Sequence, residues 1–293
     1  MTMHDFSKVR VGILAGGLGS RLSEETETRP KPMVEIGGMP MLWHIMMIYS
    51  HYGFNDFSVA LGYKGEFIKR WFHEHFSVSG SVSLSTRTGE LVRHSPDCAP
   101  NWNVDLVETG MKAGTGGRIK KLAPWLGDNT MMVTWGDGVA DIDIPKLLAF
   151  HKSHGKLATL TAVRPPARYG HLEFDGDRIT CFAEKPQLGE GWINGAFFVL
   201  EPGVMDYIDS EEEMFEQNPL SRLAQDGQLM AYRHTSFWQC MDTMREKQIL
   251  NDYWMSGQAP WKLWRDTVHE SPADWASGVH RDSAGTPLVR ASA

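Results

Sequence analysis

The chain has 293 residues, a formal net charge of −7, 42% hydrophobic and 22% charged residues. This is the make-up of an ordinary folded protein with room for one large α/β domain or two small ones, and its acidity argues against nucleic acid as a partner. No apolar run reaches the ~18 residues a membrane span needs and the N-terminus has no apolar signal core; Cys98, Cys181 and Cys240 are scattered without zinc spacing, as suits a reducing, cytoplasmic compartment.

Residues 9–15 form a continuous apolar run, the pattern of a central parallel strand. They lead into Gly16-Gly17-Leu18-Gly19-Ser20-Arg21, and Lys31 follows. Glycines let backbone N–H groups approach phosphate oxygens, and Arg21 and Lys31 supply the charge to neutralise them. Two better-known phosphate loops are excluded. A dinucleotide fingerprint counted from Gly17 finds Leu22 where its last glycine belongs, and no P-loop run of Gly, four residues and Gly-Lys-Ser/Thr follows the strand. The next helix signal is near Pro40, which leaves a polar segment of about twenty residues, a length that is usually functional. Within it Lys31 stands between Pro30 and Pro32, so its backbone is restricted and its side chain pre-organised.

Residues 40–52 read as a helix ended by Gly53. It is apolar nearly all round and rich in methionine, which makes it core first and subunit interface second; a homo-oligomer is the expected assembly. A strand at 57–61, an amphipathic helix at 66–76, and a polar loop or hairpin at 77–101 come next. A short strand at 104–107, a helix at 117–125 ended around Pro124, and a strand at 131–135 follow. A helix at 144–154 is stopped by Gly155, with Asp141 and Asp143 as its caps. The pattern then changes to strands at 158–163, 171–174, 179–183 and 193–200, a helical stretch at 203–227 and a closing helix at 243–254. From about Asp266 the chain is polar and without periodicity, a tail or an oligomer arm covering 265–293. The expected fold is α/β and Rossmann-like: a mixed, mostly parallel sheet with added strands in the second half. Ligands in such sheets bind at the carboxyl ends of parallel strands, which sets the Gly16 loop beside the end of strand 131–135.

That strand ends in Gly136-Asp137-Gly138, an aspartate exposed at the mouth of such a site. Asp242 follows the aromatic approach Phe237-Trp238 and precedes a helix, so on its residues alone it reads as an N-cap. His73, His75, His151 and His154 read as surface or helix-end residues.

The run Leu14-Ala15-Gly16-Gly17-Leu18-Gly19-Ser20-Arg21, followed by Pro30-Lys31-Pro32-Met33, resembles the signature of the sugar-1-phosphate nucleotidyltransferases. Ser23-Glu24-Glu25-Thr26, Val34-Glu35-Ile36-Gly37-Gly38 and Trp43-His44-Ile45-Met46 resemble, more narrowly, the glucose-1-phosphate cytidylyltransferase branch. The resemblance runs from about Val9 to Trp264, as one domain with a nucleotide part at about 9–155 and a sugar-phosphate part at about 156–264.

It implies transfer of a cytidylyl group from CTP to α-D-glucose 1-phosphate, giving CDP-glucose and pyrophosphate for deoxysugar or surface polysaccharide (O-antigen) biosynthesis. It further implies Mg²⁺ on Asp137 and Asp242, and Arg21, Lys31, Asp137 and Lys185 as catalytic residues. The nucleotide would lie along Leu14 to Arg21, Lys31, Gly136 and Asp137, with the base at Thr109 and at Thr115, Gly116 and Gly117. The sugar phosphate would meet Arg168, Tyr169, Gly170, Glu184, Lys185, Asn194 and Gly195. A uridylyl- or thymidylyltransferase, a cytidylyltransferase for another sugar phosphate, and a non-catalytic nucleotide-sugar sensor stay open.

Overall fold

The computed structural model describes residues 9–77, 81–94, 100–165, 171–175, 178–183 and 191–265. The expectations for residues 1–8, for the tail from 266 onward, for Cys98, and for Arg168, Tyr169, Gly170, Glu184 and Lys185 lie outside them. In chain order the strands are β1 Val11–Leu14, β2 Glu35–Ile36, β3 Met39–Pro40, β4 Asp56–Leu61, β5 Val82–Leu84, β6 Leu91–Arg93, β7 Asn103–Glu108, β8 Met131–Trp135, β9 Gly138–Ala140, β10 Ala158–Val163, β11 His171–Asp175, β12 Arg178–Ala183, β13 Ile193–Leu200, β14 Leu229–Arg233 and β15 Trp238–Cys240. The helices are α1 Ser23–Thr26, α2 Met41–His51, α3 Gly65–Ser77, α4 Thr115–Leu126, α5 Ile144–His154, α6 Asn218–Gln225 and α7 Met244–Met255.

A seven-stranded sheet in the order β14-β10-β13-β8-β1-β4-β7 organises these elements. Its neighbours pair in parallel except around β13, which runs antiparallel to both β8 and β10. The chain steps outward from β1 to β4 to β7, then returns across both to form β8 on the other side of β1. Successive connections diverge at that point, so a crevice opens at the carboxyl ends of β1 and β8. Leu14 lies opposite Trp135 in the register, and the Gly136 N–H donates to the Leu14 carbonyl at 3.0 Å. The glycine loop and Asp137 therefore leave the sheet side by side, as the strand pattern predicts.

Side chains alternate between the two faces of the sheet. Val11 and Ile13 of β1, Phe57, Val59 and Leu61 of β4 and Val199 of β13 enter one core with the buried face of α2. Leu14, Ala60, Val133 and Leu200 enter the other with Ile119, Leu122 and Leu126 of α4. Gly12 lets α4 approach: a Cβ there would stand 3.2 Å from the Leu122 Cδ1 and 3.3 Å from the Leu126 Cδ1. The apolar helix α2 is core, with Met41, Leu42, Ile45, Met46, Ile48 and Tyr49 buried.

Several expectations need correction. The polar stretch after the glycine loop is structured: it holds a 3-10 turn at Ser20–Leu22, α1, a 3-10 turn at Lys31–Met33 and the β2–β3 hairpin. Helix α4 begins at Thr115 and continues past Pro124, because burial of Leu122 and Leu126 against the sheet outweighs the missing proline N–H. The stretch 203–227 is not one helix; a 3-10 turn at Pro202–Tyr207 and α6 flank an irregular segment whose carbonyls serve α4. Only Asp143 caps α5, accepting from the Lys146 N–H, while Asp141 pairs with His234 at 3.0 Å. His151 is buried rather than superficial, held between Thr159 and Glu201.

Candidate functional site

The glycine loop rests on a buried arginine. Arg118 of α4 donates to the Gly16 carbonyl at 2.9 Å, the Leu61 carbonyl at 3.1 Å and the Thr109 hydroxyl at 2.5 Å. Thr109 in turn donates to the Leu61 carbonyl at 2.6 Å. One guanidinium thus ties together the ends of β1, β4 and β7 beneath the loop; its burial pulls its pKa down. Gly16 is glycine because of it: a Cβ there would sit 2.2 Å from the Arg118 Nη1. Gly19 adopts φ +65°, and its carbonyl accepts from the Thr26 hydroxyl at 3.1 Å. Gly17 differs from both, since a Cβ there would meet nothing within 4 Å. The protein's own packing does not require that glycine, which leaves close approach of a ligand as its physical rationale.

Opposite the loop stands a charge cluster assembled from three distant parts of the chain. Lys31 donates from Nζ to Asp137 Oδ2 at 2.7 Å and to Asp242 Oδ1 at 2.5 Å. Arg21 Nη1 lies 2.7 Å from Asp242 Oδ2. Burial pulls the Lys31 pKa down, but the two carboxylates outweigh it and the net shift is upward. The aspartates meet through a ribbon: β9 pairs antiparallel with β15, Gly138 opposite Cys240, and the Met241 N–H donates to the Asp137 carbonyl at 2.8 Å. Asp137 just precedes one strand and Asp242 just follows the other, so both come out at the same end. Asp242 is not the cap of α7. Thr243 is, in a capping box with Glu246, whose carboxylate also accepts from the Asp242 N–H at 2.7 Å. The Asp242 carboxylate is thereby left for Lys31 and Arg21, which line the cleft where Asp242 itself does not. Burial, then the charges of Glu246, Asp242 and Asp137, push the thiol of neighbouring Cys240 up to about 12.

Loop and cluster enclose an open cleft of about 280 Å³ lined by Leu14, Ala15, Gly16, Gly17, Gly19, Ser20, Arg21, Lys31, Thr115, Gly136 and Asp137 among the expected residues. Leu18 is outside the lining and 61% exposed. Thr109 is buried under the loop. Gly116 and Gly117 do not line the cleft: their N–H groups donate to the Glu213 carbonyl at 2.9 and 3.3 Å, and Cβ atoms there would strike the backbone of Glu213 and Glu211. In this structure those amides serve helix packing. Thr115 does line the cleft, its hydroxyl accepting from the Phe215 N–H at 2.8 Å.

Trp135 and Met214 also line the cleft and escaped the sequence reading. Trp135 stacks on Phe198 and donates from Nε1 to Glu216 at 2.7 Å; a tryptophan directly before Gly136-Asp137-Gly138 was the available signal. On β13 the Asn194 Oδ1 accepts from the Ala196 N–H at 2.7 Å, where Ala196 takes φ +62°. The Gly195 carbonyl accepts from Trp238 Nε1 at 2.8 Å, which ties this strand to the aspartate ribbon.

Two carboxylates converge on one point already held by a cation, and no group of three or more potential ligands exists among the described residues. That donor set fits a hard divalent ion such as Mg²⁺, which binds through one or two carboxylates and completes its shell with phosphate oxygens and water.

Residues 11–267 match the nucleotidyl transferase family. Glucose-1-phosphate cytidylyltransferase of Salmonella typhi is 50% identical over 253 residues, which cover 86% of this chain and 98% of the relative. A probable glucose-1-phosphate cytidylyltransferase of Bacillus subtilis is 42% identical over 254 residues, with the same 86% and 98% coverage. Among solved structures, HddC from Yersinia pseudotuberculosis superposes with a TM-score of 0.62 at 24% identity, covering 84% of this chain and 99% of that one; it supports the fold alone.

Proposed function

The chain belongs to the nucleotidyl transferase family, among its glucose-1-phosphate cytidylyltransferases, and from that premise we propose how its cleft transfers a cytidylyl group from CTP to glucose 1-phosphate. A phosphate oxygen of the sugar phosphate attacks the α-phosphorus of CTP, a P–O bond forms, and the bond to the leaving pyrophosphate breaks. The attacking oxygen is already ionised near neutral pH, so no general base is needed and catalysis rests on positioning and charge neutralisation.

The observation that carries this reading is the meeting of Lys31, Asp137 and Asp242 at the mouth of the glycine loop. Loop amides and Arg21 hold the β- and γ-phosphates. Lys31 turns to the α-phosphate and the incoming phosphate, and Lys185, outside the described residues, joins it there. Asp137 and Asp242 would hold Mg²⁺, which when bound neutralises charge developing on the phosphate oxygens. The nucleotide part is about 9–155 and the sugar-phosphate part about 156–264, with Glu184, Arg168, Tyr169, Gly170, Asn194 and Gly195 on the sugar side. We read the assembly as a homo-oligomer acting in the cytoplasm, and its product as a precursor of surface polysaccharide. Among the described residues no helix is long and apolar enough to cross a membrane.

Pyrophosphate release across a panel of CTP, UTP, dTTP and GTP against several sugar 1-phosphates tests the reading. CTP with glucose 1-phosphate should give the highest kcat/KM and CDP-glucose as product. A preference for UTP or dTTP overturns the base assignment, and binding without turnover would make the protein a nucleotide-sugar sensor.

A further inference from the structure

Each carboxylate of the cluster is already held by a cation of the chain itself. Lys31 Nζ bridges Asp137 and Asp242, and Arg21 takes the second oxygen of Asp242. Two negative and two positive charges cancel. The two cations differ in freedom. Arg21 has a side chain 76% exposed and can swing into water, where an exposed ion pair is worth little. Lys31 has a side chain only 11% exposed, on a 3-10 turn entered from Pro30 and containing Pro32. Its ammonium is held by Asp137 and Asp242 together. If Lys31 leaves the aspartates it needs a new anion, because a buried unpaired charge is costly.

We infer that Lys31 is an internal counter-cation that keeps a bare divalent ion off Asp137 and Asp242, so that metal and triphosphate must enter the cleft together. A metal arriving alone has to displace the lysine from both carboxylates and brings no anion to receive it. A metal arriving on a triphosphate brings the phosphate oxygens to which Lys31 transfers, so one charge set is exchanged for another. Metal and nucleotide then each raise the other's affinity, reciprocally, by a factor in the range of about 5- to 150-fold typical of such coupling. Naming the nucleotide as CTP rests on the proposed function; the exchange of lysine for metal does not.

The test is titration of the full chain with Mn²⁺ alone, followed by loss of the free-ion electron paramagnetic resonance signal. Wild type should bind Mn²⁺ weakly. Lys31→Met, which keeps the apolar stem and removes the charge, should bind it at least about tenfold more tightly, inside the coupling range above. The gain should vanish in Lys31→Met combined with Asp242→Asn. Arg21→Gln, a change at an exposed side chain that leaves the fold intact, should gain about threefold or less, since Arg21 is the weaker competitor. Tight binding of Mn²⁺ alone by wild type overturns the inference. So does a Lys31→Met protein that melts cooperatively yet binds no more tightly. If Lys31→Met does not fold, Lys31→Gln, which also removes the charge, takes its place: a gain of about tenfold or more supports the exchange and no gain overturns it. CDP-glucose formation by wild type is scored separately. No product together with a gain in Lys31→Met sinks the substrate assignment alone, and product without the gain sinks this inference alone.

Discussion

The two walls of the cleft are built by different physics. The glycine-loop wall is a packing device, in which a contiguous run of sequence leaves β1 and its shape is fixed by Arg118 pressed beneath Gly16. The aspartate wall is a charge device, in which residues far apart in sequence are brought together by two three-residue strands and held by Lys31. Errors on the first wall should therefore appear as lost stability, and errors on the second as lost turnover with the fold retained.

The largest expected effect falls on the charge wall. Asp137→Asn, Asp242→Asn and Lys31→Ala should each lower kcat by about 10²- to 10³-fold, the usual cost of one electrostatic contact to developing charge. Thermal melting should stay cooperative, because these side chains belong to the charge cluster rather than to a core. Steady-state pyrophosphate release checks the rate and calorimetry the fold. A variant that keeps near-wild-type turnover removes that residue from the chemistry.

The charge wall also has a packed rear support, and it is sensitive to acid. His44 lies fully buried against Trp254 of α7, the helix that follows Asp242, with ring centroids 4.6 Å apart. Its Nε2 is 2.9 Å from the Ile36 carbonyl, as a neutral ring protonated there requires. Burial depresses its pKa from 6.5 to about 4. The unfolded chain takes up this proton first, so the stabilisation is complete above pH 6.5 and is lost as pH falls toward about 4. The loss is at most ~1.4 kcal/mol per pH unit, about 3 kcal/mol across the window. Urea unfolding at several pH values should show a shallower acid slope for His44→Gln than for wild type. A residual slope remains from His75, depressed to about 4 as well.

On the packing wall, Gly16→Ala drives a Cβ into the Arg118 guanidinium, with 2.2 Å to Nη1. Arg118 cannot give way without abandoning three acceptors, so overpacking should cost about 1–3 kcal/mol. Urea midpoints measure it, and a shift below ~0.5 kcal/mol would mean that Arg118 does not fix the loop.

The same division explains what could be read from the sequence. The glycine run, the proline-flanked Lys31 and strand Met131–Trp135 are local patterns with local causes, and the structure sets them side by side. Strands β9 and β15 were missed because three residues carry no usable periodicity; only their pairing with each other makes them strands. Asp242 could be named from resemblance, but the release of its carboxylate depends on Thr243 and Glu246 taking the cap, which the residues alone did not show. Gly116 and Gly117 have a packing role that the sequence did not show. Glycine beside a phosphate site suggested backbone contact with a base, whereas the contact is with the carbonyls of an irregular segment about a hundred residues later, which the sequence showed as helix.

The smallest expected effect on stability is the sharpest test of the comparison. Gly17 neighbours Gly16, yet a Cβ on it would meet nothing within 4 Å and its φ is not in the left-handed region. Gly17→Ala should leave the melting temperature unchanged, or raise stability by about 0.4–1 kcal/mol through lost freedom of the unfolded chain. The added methyl stands where phosphate oxygens must approach the loop amides, so kcat/KM for CTP should fall by about tenfold, or ~1.4 kcal/mol. Gly16→Ala and Gly17→Ala, one residue apart, then separate the two demands on the loop: the first is glycine for the protein and the second for the ligand. If Gly17→Ala loses neither affinity nor rate, the loop amides do not touch phosphate, and binding must rest on the charge wall alone.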